Sequence, residues 1–400
     1  MNLALCHRPG RLVPVLSCLA LAAVLPAAGA AAEPTLVVLE ETWRAGGESD
    51  EVFFGNVGAV QADPQGNVLL LDSQLSEVHV YSPAGEHVAT LGREGDGPGE
   101  VRRPGDMFVR PDGTVALIQG FPGRIVMVHA DGNPAGETTY TPPGGAGAGQ
   151  FAVIVRGFGQ GDGMVLAGIR MSFGGGSQSK QVYFLAACDA QGAEQRVLLQ
   201  KEHVIDYADL RMDELQMDFV WQRTAVGADG RVYAAPERNA YAIEVFAPDG
   251  TRERVITRSY TAPARDDRQR QNAKRIIEAV AANYPAPMQG LTIEDTDPAI
   301  SGLFVTADGR LWVATGRSGR DLPQGAWLVL DVFGPDGAFE RQLALAGDHD
   351  PDQDATYVLP DRRVVVVTGA LDAWLNQQAV GAGETEGAPL EVICYTMASF

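Results

Sequence analysis

The sequence has little basic charge, few cysteines and no long apolar run after its first 33 residues. Lysine and arginine together number 31 against 51 aspartate and glutamate residues, which gives a formal net charge of −20 at pH 7. A chain this acidic repels phosphate backbones and anionic headgroups, so we do not expect nucleic acid or anionic lipid as a partner. Of the 4 cysteines, Cys188 and Cys394 lie beyond the N-terminal segment. The repeats described below place these two in opposite parts of the fold, so we expect buried thiols rather than a disulfide.

Residues 1–32 have the pattern of a secretory signal peptide. Arg8 and Arg11 precede an apolar stretch at 12–25, and the small residues at 28–32 suit a signal peptidase. The stretch is shorter than the ~20 residues that span a bilayer. Cys18 would suit a lipoprotein, but the apolar run continues well beyond it, so we do not expect a lipid anchor. We therefore expect an exported protein, periplasmic or extracellular, in which residues 33–400 form a single domain without a membrane span.

One pattern recurs along residues 33–400. An apolar strand, a tight Asp/Gly turn, a second apolar strand, a variable loop, an alternating strand and another Asp/Gly turn follow each other. The first copy is VQADPQGNVLLLDSQLSEVHVYSPAGEHVATLG at 60–92, and the second is MFVRPDGTVALIQGFPGRIVMVHADGNPAGE at 107–137. An Asp-Gly pair between two β-rich runs is typical of a tight hairpin. The first turns are marked by Gly66, Gly113, Gly163, Gly230, Gly309 and, where glycine is expected, Arg362.

Six copies of four strands each predict an all-β fold, a six-bladed β-propeller of four-stranded antiparallel blades. Residues 36–39 (LVVL) read as a strand without a repeat of its own. We expect it to supply the outermost strand of the last blade, beside the late strand at 390–396, and so to close the ring. Residues 263–287 form the largest insertion, between blades four and five, where Pro263 can begin a helix that ends before Pro285.

The segment SEVHVYSPAGEHVATLGREGDGPGE at 76–100 resembles the repeat of NHL-type six-bladed propellers and their relatives among exported bacterial proteins. In that repeat a strand ending in Tyr or Phe leads through a turn to a Gly-Arg-x-Gly-x-Gly-Pro-Gly-Glu loop. The resemblance covers about two-thirds of the chain beyond the signal segment. It implies the fold rather than a function, because the family includes lyases, sensor domains and interaction modules.

Nearly all the variation in loop length falls on one face of the predicted propeller. This loop-rich face carries the connections between the second and third strands of each blade and the crossings between blades, and we expect any ligand site there. A ring of polar side chains around the mouth of the central channel is one candidate for binding a polar ligand. Its members are Asp72, Arg124, Arg170, Glu237, Arg238, Tyr241, Arg317 and Arg320.

A second candidate is the acidic crossing that precedes the last blade. Oxygen ligands that wrap around an ion from one loop are what Ca²⁺ requires, so a calcium site is one hypothesis and a solvated acidic loop is the other. The loop is not an EF-hand, because Gln353 replaces the turn glycine and Leu359 replaces the bidentate glutamate. No other cofactor is indicated. The four carboxylates alternate along the chain as Asp348, Asp350, Asp352 and Asp354.

The sequence contains no recognisable catalytic centre. His79 and His129 fall in third strands, away from the channel, so a histidine zinc site is not expected there. No Gly-x-Ser-x-Gly elbow or nucleotide-binding loop is present. We therefore expect a monomeric propeller that binds a protein, peptide or glycan through its loop-rich face and is not an enzyme. The alternatives are a metal-dependent hydrolase or lyase with a site at the channel mouth, and an inert structural subunit of an envelope complex.

Overall fold

The computed structural model describes residues 33–47, 52–145, 147, 150–173, 176–378 and 389–397. The signal peptide predicted at 1–32 lies outside these residues. The described chain is all-β, with small antiparallel sheets in a propeller arrangement. None of the helices that the structure describes has the length and hydropathy needed to cross a membrane.

Four of the sheets contain four strands, and in each sheet the strands lie side by side in chain order. The first sheet comprises β2 (Val57–Ala62), β3 (Val68–Asp72), β4 (Glu77–Tyr81) and β5 (His87–Leu91). The second comprises β6 (Asp106–Val109), β7 (Val115–Gln119), β8 (Arg124–Val128) and β9 (Pro134–Thr139). The third comprises β10 (Gln150–Gln160), β11 (Gly163–Phe173), β12 (Gln178–Cys188) and β13 (Glu194–Asp206). The fourth comprises β15 (Thr224–Val226), β16 (Val232–Ala234), β17 (Ala242–Phe246) and β18 (Arg252–Thr257).

The remaining large sheet has eight strands, which fall into two antiparallel runs of four. The first of these two runs follows the four sheets above in chain order, so we call it the fifth run. It comprises β20 (Ile300–Val305), β21 (Leu311–Thr315), β22 (Ala326–Phe333) and β23 (Phe339–Ala346). The last run is β24 (Ala355–Val358), β25 (Val364–Val367), β26 (Glu391–Met397) and β1 (Thr35–Gly46). The two runs are joined where β1 and β23 pair in parallel, from Thr35↔Leu343 to Val38↔Ala346.

The N-terminal strand β1 does lie beside the late strand β26, as the sequence predicts. The residues that make this pairing are 39–46 rather than 36–39, from Leu39↔Met397 to Gly46↔Glu391. Residues 35–38 pair with β23 instead. One 12-residue strand therefore serves two neighbours in succession, which the short apolar signal LVVL did not reveal.

Apolar side chains fill the spaces between consecutive four-stranded units. Leu71 and Val78 of the first sheet pack against Leu117 and Val126 of the second, and similar clusters lie between each later pair of units. A further cluster joins the last run to the first sheet, where Trp43, Val367 and Val392 meet residues such as Leu70. The propeller core is thus a series of layers between sheets. Cys188 and Cys394 are buried and free within two of these layers, as predicted.

The turn of the third sheet differs from the prediction by two residues. The left-handed position belongs to Gly161, with φ +54°, and β11 begins at Gly163. A Cβ on Gly163 would lie 2.5 Å from the carbonyl oxygen of Cys188, so this glycine is required for close approach rather than for turn geometry. In the last run, Arg362 adopts φ +70° at the position where the other copies have glycine.

Two crossings form a small structure of their own, which we call the cap (residues 205–217 and 264–297). Its helix α2 (Asp267–Ala281) begins with a capping box formed by Asp266 and Gln269 and lies within the predicted insertion at 263–287. Ile205, Leu210 and Ile277 bury against one another in its core. The cap also contains β14 (Arg211–Asp213), the short α1 (Glu214–Met217) and β19 (Gly290–Thr292), the last of which pairs in parallel with β14. A further helix, α3 (Ala370–Gln378), follows β25; neither α1 nor α3 was predicted.

Candidate functional site on the loop-rich face

Asp72, at the end of β3, is fully buried and bound to the backbone. Its Oδ1 accepts hydrogen bonds from the N–H groups of Gln74 (2.9 Å) and Leu75 (3.0 Å), and its Oδ2 accepts one from Gly55 (2.6 Å). The N–H of Asn56 also lies 3.2 Å from Oδ1. These bonds fix the loop between β3 and β4 and the segment that enters β2. Both oxygens are thus engaged within the protein.

Arg124 and Arg170 each bind a carboxylate in their own sheet. The Nε of Arg124 lies 2.9 Å from Glu137, and its Nη1 donates to the carbonyl of Glu100 at 3.1 Å. Arg170 lies 3.4 Å from the buried Glu194 and stacks over the ring of Phe184, 5.0 Å from its centroid. The two guanidinium groups are therefore held by separate partners, although both side chains remain partly accessible.

Arg238 and Arg320 are brought together by a chain of ion pairs through the cap. Arg238 Nη2 lies 2.7 Å from Glu214, and Arg265 donates to both oxygens of Glu214 at 2.8 Å. Arg265 then pairs with Asp297 at 2.6 Å, and Asp297 pairs with Arg320. Burial alone would raise the pKa of Glu214, but its hydrogen bonds from Arg265 and from the Glu294 N–H hold that pKa below the usual range. The network ties the cap to the fourth sheet and to the fifth run.

The other three predicted residues, Tyr241, Arg317 and Glu237, do not take part in this chain of ion pairs. Tyr241 is buried and donates a hydrogen bond to Asp331 at 2.9 Å, and burial raises the pKa of its phenol. Arg317 is half-exposed and lies 3.5 Å from Asp321, while Glu237 is exposed. The structure thus joins Arg238 with Arg320, gives Asp72, Arg124, Arg170, Tyr241 and Arg317 separate partners, and leaves Glu237 exposed. Arg265, Glu214 and Asp297, which make the connection, were not predicted as site residues, because nothing local in the sequence marks a contact between two distant crossings.

The acidic crossing at 348–354 is bound to several neighbours rather than gathered around one point. Asp350 pairs with Arg268 of α2, and the Gln269 side chain lies 3.4 Å from Asp352. Asp354 accepts hydrogen bonds from the N–H groups of Asp350 (3.0 Å) and Gly369 (2.9 Å). Within the described residues, no group of three or more histidine, cysteine, aspartate or glutamate side chains is arranged to hold a metal ion. The calcium site and the metal-dependent hydrolase or lyase stay predictions from the sequence alone.

Beside this crossing lies a cleft of about 660 Å³, which we call the closure cleft. It lies where β23 ends at Ala346 and β1 continues along β26. One wall consists of Arg44, Glu391, Ile393 and Tyr395, and the other consists of residues 346–351 with Asp354 and Thr368. Arg44 pairs with Glu391 at 2.9 Å across the two strands.

His349 lies between a carboxylate and a phenol in the closure cleft. Its Nε2 is 2.9 Å from the hydroxyl of Tyr395, and its Nδ1 is 3.7 Å from Oδ2 of Asp354. The indole of Trp327 contacts the imidazole edge to face, with centroids 5.0 Å apart. Burial alone would raise the pKa of Asp354, but His349 and the two N–H groups hold it below its usual range. Asp354 is therefore ionised at neutral pH.

The third sheet is taller than its neighbours and carries a row of aromatic rings. Its strands have 11–13 residues, whereas those of the first and second sheets have 4–6. Consecutive rings in the row have centroids 5.4–6.3 Å apart. We call this row the aromatic ridge; it comprises Phe121, Phe151, Phe173, Tyr207 and Tyr284.

The ridge runs from the second sheet across the third to the cap, and much of it is accessible. Phe121 is 62% exposed and Phe173 is 47% exposed. Two of its rings are fixed by hydrogen bonds, since the hydroxyl of Tyr207 lies 2.9 Å from Ser179 and that of Tyr284 lies 3.4 Å from Gln181. The sequence did not predict the ridge, because its members come from five separate segments with no common spacing.

Comparison with known proteins identifies no family. No protein-family model matches the chain, and no curated protein sequence matches it. Among solved structures, a member of the DUF4221 family from Bacteroides vulgatus has a TM-score of 0.49 and 9% identity, covering 92% of this chain and 100% of that one. Virginiamycin B lyase from Staphylococcus aureus has a TM-score of 0.39 and 10% identity, covering 82% and 81%.

A calcium-binding protein, regucalcin, from Agrobacterium tumefaciens has a TM-score of 0.39 and 11% identity, covering 90% of this chain and 95% of that one. Similarity at these levels transfers neither an activity nor a ligand to this chain. The propeller arrangement described above rests on the strand pairing of the chain itself.

Proposed function

We propose that this chain is an exported six-bladed β-propeller that binds a protein or peptide partner through its loop-rich face. The aromatic ridge is the observation that carries the proposal. The blade number has separate support. Each four-stranded run of the eight-stranded sheet has the internal order of a blade, and only the short parallel pair of β1 with β23 joins the two. Apolar clusters lie between each consecutive pair of the six four-stranded units, including the last and the first.

The ridge has the composition of a binding surface. Aromatic side chains are enriched at protein interfaces, where a few rigid rings contribute most of the binding free energy. Phe121 exposes 62% of its surface and Phe173 exposes 47%. The ring of Phe151 lies between them and continues the same apolar strip. Rings that are already packed against one another lose little conformational entropy when a partner covers them. The strip is therefore suited to an apolar segment of a polypeptide.

Aromatic rows also stack nucleic-acid bases, but the charge of this chain argues against such a ligand. Proteins that bind single strands combine the rings with a basic groove. This chain has 20 more acidic than basic side chains, and the charged pair on the neighbouring strands, Lys180 with Glu202 at 2.8 Å, is neutral overall. The electrostatic attraction that nucleic-acid binding requires is missing from the sequence.

A selection from a phage-displayed library of random peptides on the mature protein tests the proposal. Enriched peptides are synthesised and titrated calorimetrically against the wild type and a Phe121→Ser/Phe173→Ser variant. We expect the double substitution to weaken binding by roughly tenfold or more, as for loss of interface anchors. The matched control is Phe339→Ser, an exposed phenylalanine beside an Asp/Gly turn.

Three outcomes contradict the proposal. They are the absence of enriched peptides, equal loss of affinity in the double variant and the control, and binding of glycans in place of peptides on an array probed with the same protein. Retention of the wild-type melting temperature in the double variant shows that any loss of affinity is local.

Export is tested by expression of the full chain in a bacterium with an outer membrane. We expect the mature protein in the periplasmic or extracellular fraction with its N-terminus within residues 29–33, read by mass spectrometry, because the small residues at 28–32 suit signal peptidase. A chain that keeps residue 1 and stays in the cytoplasm contradicts export without touching the binding proposal.

A further inference from the structure

Residues from four separate units meet around the guanidinium of Arg156, which belongs to β10 of the third sheet. Its Nε lies 3.1 Å from Asp106 of the second sheet, and its Nη1 donates to Gln222, just before the fourth sheet, at 3.1 Å. Besides burial, the groups that act on the pKa of the Tyr357 phenol, on β24 of the last run, are Arg156 and Asp106. Non-adjacent units of a propeller approach one another only at its centre. We call these four residues the central cluster.

The first strands of the units lie around this centre. Those of neighbouring units contact one another, as β2 does with β6, β6 with β10, β10 with β15 and β15 with β20. Asp106 opens β6, Arg156 lies within β10, and Tyr357 lies within β24, which is the first strand of the last run. The contacts of the strands and those of the side chains therefore place the cluster in the same part of the fold.

Asp106 is fully buried and holds Arg156 in place. Its Oδ2 accepts a hydrogen bond from the N–H of Gly157 at 2.9 Å and lies 3.1 Å from Arg156 Nε. Burial raises the pKa of Asp106, and the guanidinium of Arg156 opposes that rise. A long side chain that is held at both Nε and Nη1 has already lost much of its rotamer freedom, which lowers the entropic cost of binding a ligand.

Three donors of the central cluster have no acceptor among the residues that the structure describes. They are Nη2 of Arg156, Nε2 of Gln222 and the hydroxyl of Tyr357. Gln222 is exposed and Tyr357 is half-buried, while Arg156 Nη2 and the Tyr357 hydroxyl both contact solvent. The one carboxylate of the cluster, Asp106, is engaged behind the guanidinium. The cluster thus presents accessible donors and lacks an acceptor for them.

Such a set of donors favours a ligand with acceptor oxygens, and a carboxylate fits best. Its two oxygens lie in one plane, which is the arrangement that a guanidinium binds most strongly. With Asp106 ionised, the Arg156–Asp106 pair has no net charge, so binding depends on hydrogen bonds at contact rather than on attraction from a distance. A phosphate would bring a second negative charge to a chain whose net charge is already −20, whereas a carboxylate brings one.

We propose that the central cluster binds the carboxylate of a small organic acid or of a polypeptide C-terminus. Arg156, Gln222 and Tyr357 are the donors, and Asp106 positions Arg156. The two sources share the carboxylate and differ in what is attached to it. The cluster has no residue in common with the aromatic ridge, so this proposal does not rest on peptide binding at the ridge.

Saturation-transfer NMR of the mature protein tests the site with two carboxylates. Propionate represents the free acid and Ac-Ala-Ala-OH represents the end of a polypeptide, while propionamide and Ac-Ala-Ala-NH₂ are their uncharged controls. We expect saturable binding of the carboxylates and none of the amides. Tighter binding of the peptide acid than of propionate indicates a polypeptide terminus, and equal or weaker binding indicates a free acid. The proposal is wrong if neither carboxylate binds or if the amides bind equally well.

Two variants and one matched control assign the binding to the cluster. Tyr357→Phe removes one donor, and Arg156→Lys keeps the charge but removes the planar fork; we expect each to weaken binding by roughly fivefold or more. Tyr233→Phe makes the same change on β16, where the hydroxyl also lacks a described partner, and should leave affinity unchanged.

The melting temperature of each variant separates a local effect from unfolding. If Arg156→Lys melts earlier than the wild type, Tyr357→Phe decides, because it keeps the ring that packs against the layer between the last run and the first sheet. Wild-type affinity in Tyr357→Phe, or an equal loss in Tyr357→Phe and Tyr233→Phe, would overturn the assignment.

Discussion

The indole of Trp43 on β1 stacks on the phenol ring of Tyr81 on β4, with ring centroids 5.1 Å apart and planes inclined by 16°. Trp43 belongs to the last four-stranded run and Tyr81 to the first sheet, so this stack joins the two ends of the domain. Gly85, in the turn after β4, lies directly against the indole. A Cβ at Gly85 would be 2.3 Å from the Cβ of Trp43, and Gly85 has φ +88°.

We predict that Trp43→Ala lowers the free energy of unfolding by about 3–5 kcal/mol, because it leaves a cavity in the layer that joins the last run to the first sheet.

Gly85→Ala is expected to cost more stability than Gly113→Ala, since both positions need a positive φ but Gly113 has open space around it. Gly113→Ala should cost about 1–2 kcal/mol from backbone strain alone. Chemical denaturation of the three variants measures these differences, and equal costs at Gly85 and Gly113 would contradict the packing argument.

Asp72 is expected to act on stability through its backbone hydrogen bonds. Asp72→Ala leaves the N–H groups of Gly55, Gln74 and Leu75 without their acceptor, at a cost of about 1–3 kcal/mol for each one that stays buried. Asp72→Asn keeps one acceptor oxygen and should lose less. Thermal melting of both variants, with Glu237→Gln as the exposed control, checks the order. A variant Asp72→Ala as stable as the wild type would return this residue to the set of free ligand-binding candidates.

His79 is expected to make the fold sensitive to mild acid. It is 8% exposed, and neither ring nitrogen has a hydrogen-bond partner among the described residues. Burial lowers the pKa of His79, and the nearby Asp72 offsets this only in part. The unfolded chain takes up a proton near pH 6.5, before the folded chain does, so the free energy of unfolding falls as the pH drops below about 6.5.

His79→Phe removes that proton uptake, and the fall in stability between pH 7 and pH 5 should become shallower. Part of the fall remains, because burial also lowers the pKa of His203. His129→Gln is the control, since the His129 backbone closes an exposed turn. Urea titrations across this pH range measure the slope; a slope that is unchanged in His79→Phe but reduced in His129→Gln would show that another group is responsible.

Arg362 and Arg363 are adjacent but should respond in opposite ways to replacement by glycine. Arg362 is exposed with φ +70°, a conformation that costs an L-residue about 1–2 kcal/mol relative to glycine. We expect Arg362→Gly to raise stability by about 0.5–1 kcal/mol after the larger chain entropy of glycine is subtracted. Arg363 is buried and donates to the carbonyl of Gly66 at 2.7 Å, so Arg363→Gly should destabilise. Two stabilised or two destabilised variants in thermal melts would contradict this assignment.

The strands and most turns were predictable because each is encoded locally. A glycine with positive φ between two apolar runs marks a hairpin at Gly66 and Gly113 without reference to the rest of the chain. The prediction failed by two residues at Gly163, because the Gln-Gly-Asp-Gly sequence contains two glycines and only tertiary packing decides which one turns. The dual pairing of β1 was not predictable for the same reason.

The candidate sites depend on contacts between distant segments, and the sequence revealed them poorly. Arg238 and Arg320 meet through Glu214 and Asp297, which lie in two separate crossings. The polar residue types at the loop-rich face could be read from the chain, but whether a carboxylate such as Asp72 faces solvent or its own backbone could not. The ridge of Phe121 and Tyr284 joins residues 163 positions apart, so no periodicity marks it.

The N-terminal strand β1 is synthesised before the other strands, but its pairing is completed last. Thr35 pairs with Leu343, and Leu39 pairs with Met397, so β1 has no partner until nearly the whole chain has emerged. Until then Leu36, Val37 and Val38 form an apolar strand with a free edge, which is the kind of segment that associates with other chains. The C-terminal strands must therefore reach β1 before another chain pairs with its free edge, and a chain truncated before β26 would leave that edge without its intramolecular partner.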